Sequence, residues 1–149
     1  MIAVACDHGA VEMKEEIEKL LDGMGLEYQD FGTDSHESVD YPIYAARAAH
    51  AVANGECDRG IVMCGTGIGM SLAANKVHGI RCALCGDCYS ARMSRAHNNA
   101  NMLALGARVI GIELAKLIVK EWLETPFEGG RHARRVDLLM KLEKDQTLE

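Results

Sequence analysis

Short apolar runs alternate along the chain with longer stretches in which apolar residues recur every three or four positions. Ile2–Cys6 is a run of the first kind and predicts a strand. Over residues 9–24, Val11, Ile17, Leu20, Leu21 and Met24 fall at helical spacing among charges, and Gly23 and Gly25 mark the end of that helix. Residues 27–31 predict a second strand, followed by a polar loop over 32–40. Pro42 sits where a helix starts without losing a hydrogen bond, so the Ala-rich segment to Ala53 predicts a helix that Asn54 and Gly55 stop. Residues 60–64 predict a third strand whose contiguous Ile61, Val62 and Met63 suit burial on both faces. A short helix over 69–75 follows a glycine loop, then a fourth strand over 81–85. Asp87 is placed to cap a helix from Tyr89 to about His97. Residues 102–105 predict a fifth strand, 112–123 an amphipathic helix ended by Pro126, and 131–144 a last helix.

Five strands alternating with helices imply a parallel sheet with helices on both faces, because parallel strands need crossovers. The expected fold is a three-layer α/β/α sandwich, Rossmann-like, as one domain over residues 1–149. In such a sheet, ligands bind beyond the carboxyl ends of the strands. That puts Asp7 and His8 after strand one, Cys64 and the glycine loop after strand three, and Arg108 after strand five. His97 and Asn98, at the end of the helix after strand four, are expected at the same edge.

Composition narrows the function. Apolar residues make up 48% of the chain, enough for a core, and the net charge is -6. A net acidic chain is poorly suited to nucleic acid or an anionic membrane, so any phosphate must be held by local basic groups or backbone N–H groups. The first residues lack a basic segment and are interrupted by Asp7 and His8, which predicts no signal peptide and a cytoplasmic location. The six cysteines then read as reduced thiols. Cys82, Cys85 and Cys88 imitate a cluster-binding run. Residues three apart on a strand point to opposite faces, though, and no Cys-Pro completes the pattern.

The loop Cys64-Gly65-Thr66-Gly67-Ile68-Gly69 is the richest segment. Its glycines allow close backbone approach, and it opens a helix whose free N–H groups suit an oxyanion or a phosphate. A flexible strand-to-helix turn accounts for the same residues. A dinucleotide fingerprint does not, since Met70 occupies the third glycine position, and no Gly-Lys-Ser/Thr makes it a P-loop. Cys64 is either a thiolate base or nucleophile or a small apolar plug. Thr66 either donates to a reacting oxygen or caps the next helix, and Asp7 either serves chemistry or caps the first helix. Arg131 and Arg135 share a helix face and, with His132 and Arg134, form the densest basic patch. They read equally as a phosphate clamp or as a solvated face.

Several separated motifs in order carry a resemblance: Ala5-Cys6-Asp7-His8-Gly9, Asp40-Tyr41-Pro42, the Cys64–Gly69 loop, Ser94-Arg95-Ala96-His97-Asn98, Gly106-Ala107-Arg108-Val109 and Gly129-Gly130-Arg131-His132. On these, nearly end to end, the chain resembles the type B ribose-5-phosphate isomerases, whose family also contains allose-6-phosphate and galactose-6-phosphate isomerases. The resemblance implies that Cys64 moves a proton between C1 and C2. It implies that His97, assisted by Asp7, opens the furanose ring, and that the N–H groups of Gly65, Thr66, Gly67, Ile68 and Gly69 hold the enediolate oxygen. Asp7, His8 and Asn98 would contact the sugar, Tyr41 would line the pocket, and Arg131 and Arg135 would hold the phosphate with Arg108 nearby. It further implies no metal or other cofactor, and a homodimer with sites built between subunits. One branch of the family uses a Glu further along the loop as base. Here Met70-Ser71-Leu72-Ala73-Ala74-Asn75 offers none, which leaves Cys64. A six-carbon sugar phosphate as substrate, a non-catalytic phosphate- or nucleotide-binding module, and a thiol redox protein are the competing readings.

Overall fold

The computed structural model describes residues 1–149. The elements follow in the order β1 (Ile2–Cys6), α1 (Val11–Gly23), β2 (Tyr28–Asp30), α2 (Tyr41–Ala53), β3 (Arg59–Cys64), α3 (Ile68–Asn75), β4 (Cys82–Leu84), α4 (Cys88–Ala96), β5 (Met102–Gly106), α5 (Ile112–Glu124) and α6 (Arg131–Glu143). The five strands form one parallel sheet in the order β2-β1-β3-β5-β4. The expected α/β/α sandwich is therefore the observed one. None of the helices is long and apolar enough to cross a membrane.

The two-residue period of the strands sorts their side chains between two cores. Ile2, Val4, Cys6, Ile61, Met63, Leu103 and Leu105 face α1, α4 and α5, where Ile17, Leu21, Ile118 and the fully buried Trp122 meet them. Ala3, Ala5, Val62, Met102 and Ala104 face α2 and α3. That second core is built largely of alanine, and Ala45, Ala48 and Ala49 let α2 lie close against the sheet. Strands β1 and β5 are buried along their whole length, as is β3 beyond its first residue.

The cysteine run divides as the strand geometry requires. Cys82 packs on the α2–α3 side, and Cys85 and Cys88 pack on the other. Desolvation pushes the Cys82 thiol up to about 12 and the Cys85 thiol to about 11, so both stay protonated.

Lys14 on α1 is buried, an unusual place for a lysine. Its Nζ donates to both carboxylate oxygens of Asp30 at 2.8 and 2.6 Å and to Asp34 at 2.7 Å. These bonds raise the lysine's pKa against the opposing effect of burial. The ion cluster fixes the start of the 31–40 loop, which leads to Tyr41 and the carboxyl edge of the sheet.

Candidate active site

Each crossover helix carries the chain back to the amino edge of the sheet, so a residue directly after a strand and one directly after a helix lie at opposite edges. The candidates divide accordingly. Cys64 pairs with Gly106, and Cys6 with Met63, at the carboxyl ends of their strands. There the structure brings together Asp7, His8, Cys64, the glycine loop, Tyr41 and Arg108.

Cys64 ends β3, and its Sγ accepts a hydrogen bond from the Gly67 N–H at 3.1 Å. Negative charge arriving on that sulfur would meet a donor already in place. Gly67 caps α3 in the left-handed region at φ 79°, a conformation open to glycine. A Cβ there would stand 2.5 Å from Leu84 Cδ1 and 2.9 Å from the Leu105 carbonyl carbon. The Thr66 hydroxyl accepts the Ile68 N–H at 3.2 Å, and its own proton remains to donate.

Arg108 lies across the two loops. A Cβ on Gly65 would be 3.2 Å from its Nη1, and one on Gly9 would be 3.5 Å from its Nη2 and 3.2 Å from Asp7 Oδ1. The glycines therefore let one guanidinium approach Asp7 and the amides of the Cys64 loop together. Backbone bonds from Ala107 N–H to the Cys64 carbonyl and from Arg108 N–H to the Gly65 carbonyl, both 2.8 Å, set this register. Tyr41 covers Gly69 with its ring, a Cβ there meeting Cε2 and Cζ at 2.8 Å.

Asp7 does not cap α1. Its Oδ1 accepts the Gly9 N–H at 2.8 Å in a turn that starts three residues before the Ala10 cap position, because the helix starts at Val11. His8 Nδ1 accepts the Val39 N–H at 3.1 Å. That bond requires an unprotonated Nδ1 and leaves Nε2–H as a donor. An open cavity of about 490 Å³ is bordered by His8, Gly9 and Arg108, and one of about 290 Å³ by Thr66, Ile68, Gly106 and Val109.

His97 and Asn98 are not at this edge, contrary to the expectation from sequence. His97 follows α4, and the chain beyond it reaches Asn101, whose carbonyl accepts the Gly60 N–H at the start of β3. Arg131 and Arg135 follow α5 and lie on the same side as His97, since His132 stacks on His97 with ring centroids 4.1 Å apart and planes 7° apart. Between the edges runs β5, five residues long, or roughly 15 Å at about 3.3 Å per residue. Arginines hold the amino-edge group in place. Arg81 donates to the Asn98 and Asn99 carbonyls at 3.2 and 2.8 Å, and Arg95 to the Ala100 carbonyl at 2.7 Å.

Nothing in the sequence pattern marks Glu128. Its Oε2 is 3.6 Å from His97 Nε2 and 3.9 Å from His132 Nε2. One donor atom from each of His97, Glu128 and His132 falls within 4.8 Å of the others, a span a metal ion could bridge. The two stacked imidazoles instead share the Glu128 carboxylate between them.

A thiol beside oriented amides, a carboxylate and a guanidinium define an α/β enzyme for acid–base chemistry on a small anionic substrate. Residues 2–139 match the family described as Ribose/Galactose Isomerase. The chain is 52% identical to ribose-5-phosphate isomerase B of Escherichia coli over 143 residues, 96% of each protein. It is 49% identical to D-erythrulose-4-phosphate isomerase of Pectobacterium atrosepticum, over 91% of this chain and 90% of that protein. The solved structure of Clostridium thermocellum ribose-5-phosphate isomerase B superposes with a TM-score of 0.95 at 56% identity, covering 97% of both chains. The chain belongs to the ribose/galactose isomerase family.

Proposed function

We propose that this protein interconverts ribose 5-phosphate and ribulose 5-phosphate through an enediolate, without metal or other cofactor, as a cytoplasmic homodimer whose two sites each draw on both copies. The observation that carries the reading is the Cys64 sulfur held by the Gly67 amide beside Asp7 and Arg108. Its free thiols suit a reducing compartment.

The furanose must open first. A protonated His97 gives its proton to the ring oxygen O4, the C1–O4 bond breaks, and the C1 hydroxyl proton leaves to Asp7 as C1=O forms. The Cys64 thiolate then takes the proton from C2. Electrons move onto O1, where the amides of residues 65–69 and the Thr66 hydroxyl meet the charge. The proton returns to C1, and the O2 proton passes to O1. His8 Nε2–H, Asn98 and Tyr41 position the sugar, while Arg108, Arg131 and Arg135 hold the phosphate and fix the reacting carbons through remote binding energy.

The division of these groups between two sheet edges supports the shared site. One chain supplies Cys64, Asp7 and Arg108, and a second brings His97, Asn98, Arg131 and Arg135 to face them. The test is turnover of ribose 5-phosphate, with a chelator present, by the wild type and Cys64→Ala. The variant should lose nearly all turnover yet still bind substrate. Near-normal turnover would remove Cys64 from the mechanism.

A further inference from the structure

The loop between α5 and α6 is fastened to the residue that precedes His97. The Glu128 N–H donates to the Ala96 carbonyl at 3.0 Å. The same residue's carboxylate lies within ion-pair distance of both stacked imidazoles, 3.6 Å from His97 and 3.9 Å from His132. Backbone and side chain thus fix one carboxylate against one histidine. The Glu128 side chain is 53% exposed, so the contact adds little to folding.

The charged groups gathered here are Glu128, His132, Arg131 and Arg135. The two arginines and His97 oppose a proton on His132. Desolvation, then the charges of His97 and Arg131, push the His132 pKa down. Glu128 is the one anion among these groups. Resting on the isomerase reading above, we propose that Glu128 is a positioning residue for ring opening, its carboxylate holding the His97 imidazole in the orientation from which it donates to O4.

The chemistry supplies a clean test. Ribulose 5-phosphate carries its phosphate on O5 and cannot close a furanose, so only the aldose side of the reaction calls on His97. The measurements compare the wild type, Glu128→Gln and Glu128→Asp as full-length proteins. One readout is net conversion of ribose 5-phosphate. The other is cleavage of a C1–deuterium bond in labelled ribulose 5-phosphate, followed as label lost to water or carried to C2. Glu128→Gln should lower kcat on ribose 5-phosphate by about ten- to a hundredfold, the scale seen when a carboxylate that orients a histidine is removed. It should leave C1–deuterium cleavage within about threefold, because that step uses Cys64. Glu128→Asp should recover part of the loss. Equal losses in both readouts, or none in conversion, would overturn the role of Glu128. A wild type inactive in both readouts would instead overturn the isomerase reading.

Discussion

Mixing two dead variants tests the site's construction. Cys64→Ala removes the proposed base at the carboxyl edge, and His97→Asn removes the proposed acid at the amino edge. Within one chain these positions are separated by the length of β5, roughly 15 Å, which no side-chain rotation spans. On the proposed mechanism, an intact site therefore draws Cys64 from one copy and His97 from the other. In a homodimer made only of Cys64→Ala, both sites lack the base. In one made only of His97→Asn, both lack the acid. A mixed dimer holds one site with both lesions and one with neither. Random re-pairing of equal amounts makes half the dimers mixed, so activity should return to about a quarter of the wild-type rate per subunit. The assay is ribose 5-phosphate turnover before and after subunits exchange through a denaturation and refolding cycle. A re-paired mixture as inactive as its parents would refute the shared site, because complementation is impossible when both groups act from one chain.

Gly67→Ala should cost about 1–2 kcal/mol for its left-handed backbone, further stability for the clash with Leu105, and most of the turnover as the amide leaves the Cys64 sulfur. Gly25→Ala, also at positive φ but meeting nothing within 4 Å, should show the strain alone in thermal melts, with turnover unchanged. Lys14→Met strips Asp30 and Asp34 of their cation and should cost about 2 kcal/mol in urea unfolding, less than a fully buried pair because Asp34 is exposed. An unchanged midpoint would contradict the ion cluster's role. Burial, then the charge of Asp30, push the Glu18 carboxyl up to about 7, and its Oε1 is buried without a partner. The folded chain thus keeps a proton that the unfolded chain releases above 4.5, and stability falls as pH rises from there through 7. Melting should be higher at pH 5.5 than at pH 8, and Glu18→Gln should flatten the difference and raise the pH 8 value.

The carboxyl edge was legible because a residue that ends a strand is placed by the strand. Asp7, Cys64 and Arg108 follow runs whose burial the apolar pattern announces. His97 and Asn98 follow a helix, and reading them at the same edge ignored that the helix runs back across the sheet. The motif around His97 is as visible in sequence as the one around Cys64, but its position depends on topology and, in the proposed enzyme, on a second copy. Glu128 was hidden because its meaning lies in a partner 31 residues earlier on another element. The same distance separates Val39 from the His8 nitrogen it fixes. Lys14 sits among charges on a helix and reads as solvated; its burial emerges only when β2 delivers Asp30 beside it.

Helix α6 carries Arg131 and Arg135 yet buries only Val136, while Leu139 and Leu142 lie open to water. Its polar moorings are the His132–His97 stack with Glu128, the Glu143 carboxylate on the Gly79 N–H at 3.0 Å, and the Arg81 guanidinium on the Met140 sulfur at 3.3 Å. A segment so lightly held opens at a small fraction of the free energy of global unfolding, whereas Cys64 ends a strand buried from its second residue onward. In the isolated chain the two halves of the proposed site would keep different clocks: the half proposed to grip the phosphate would peel and reclose many times before the half proposed to move the proton is disturbed. In the proposed homodimer, a second copy lying over α6 would slow that opening as it completes the site, tying the lifetime of the grip to assembly.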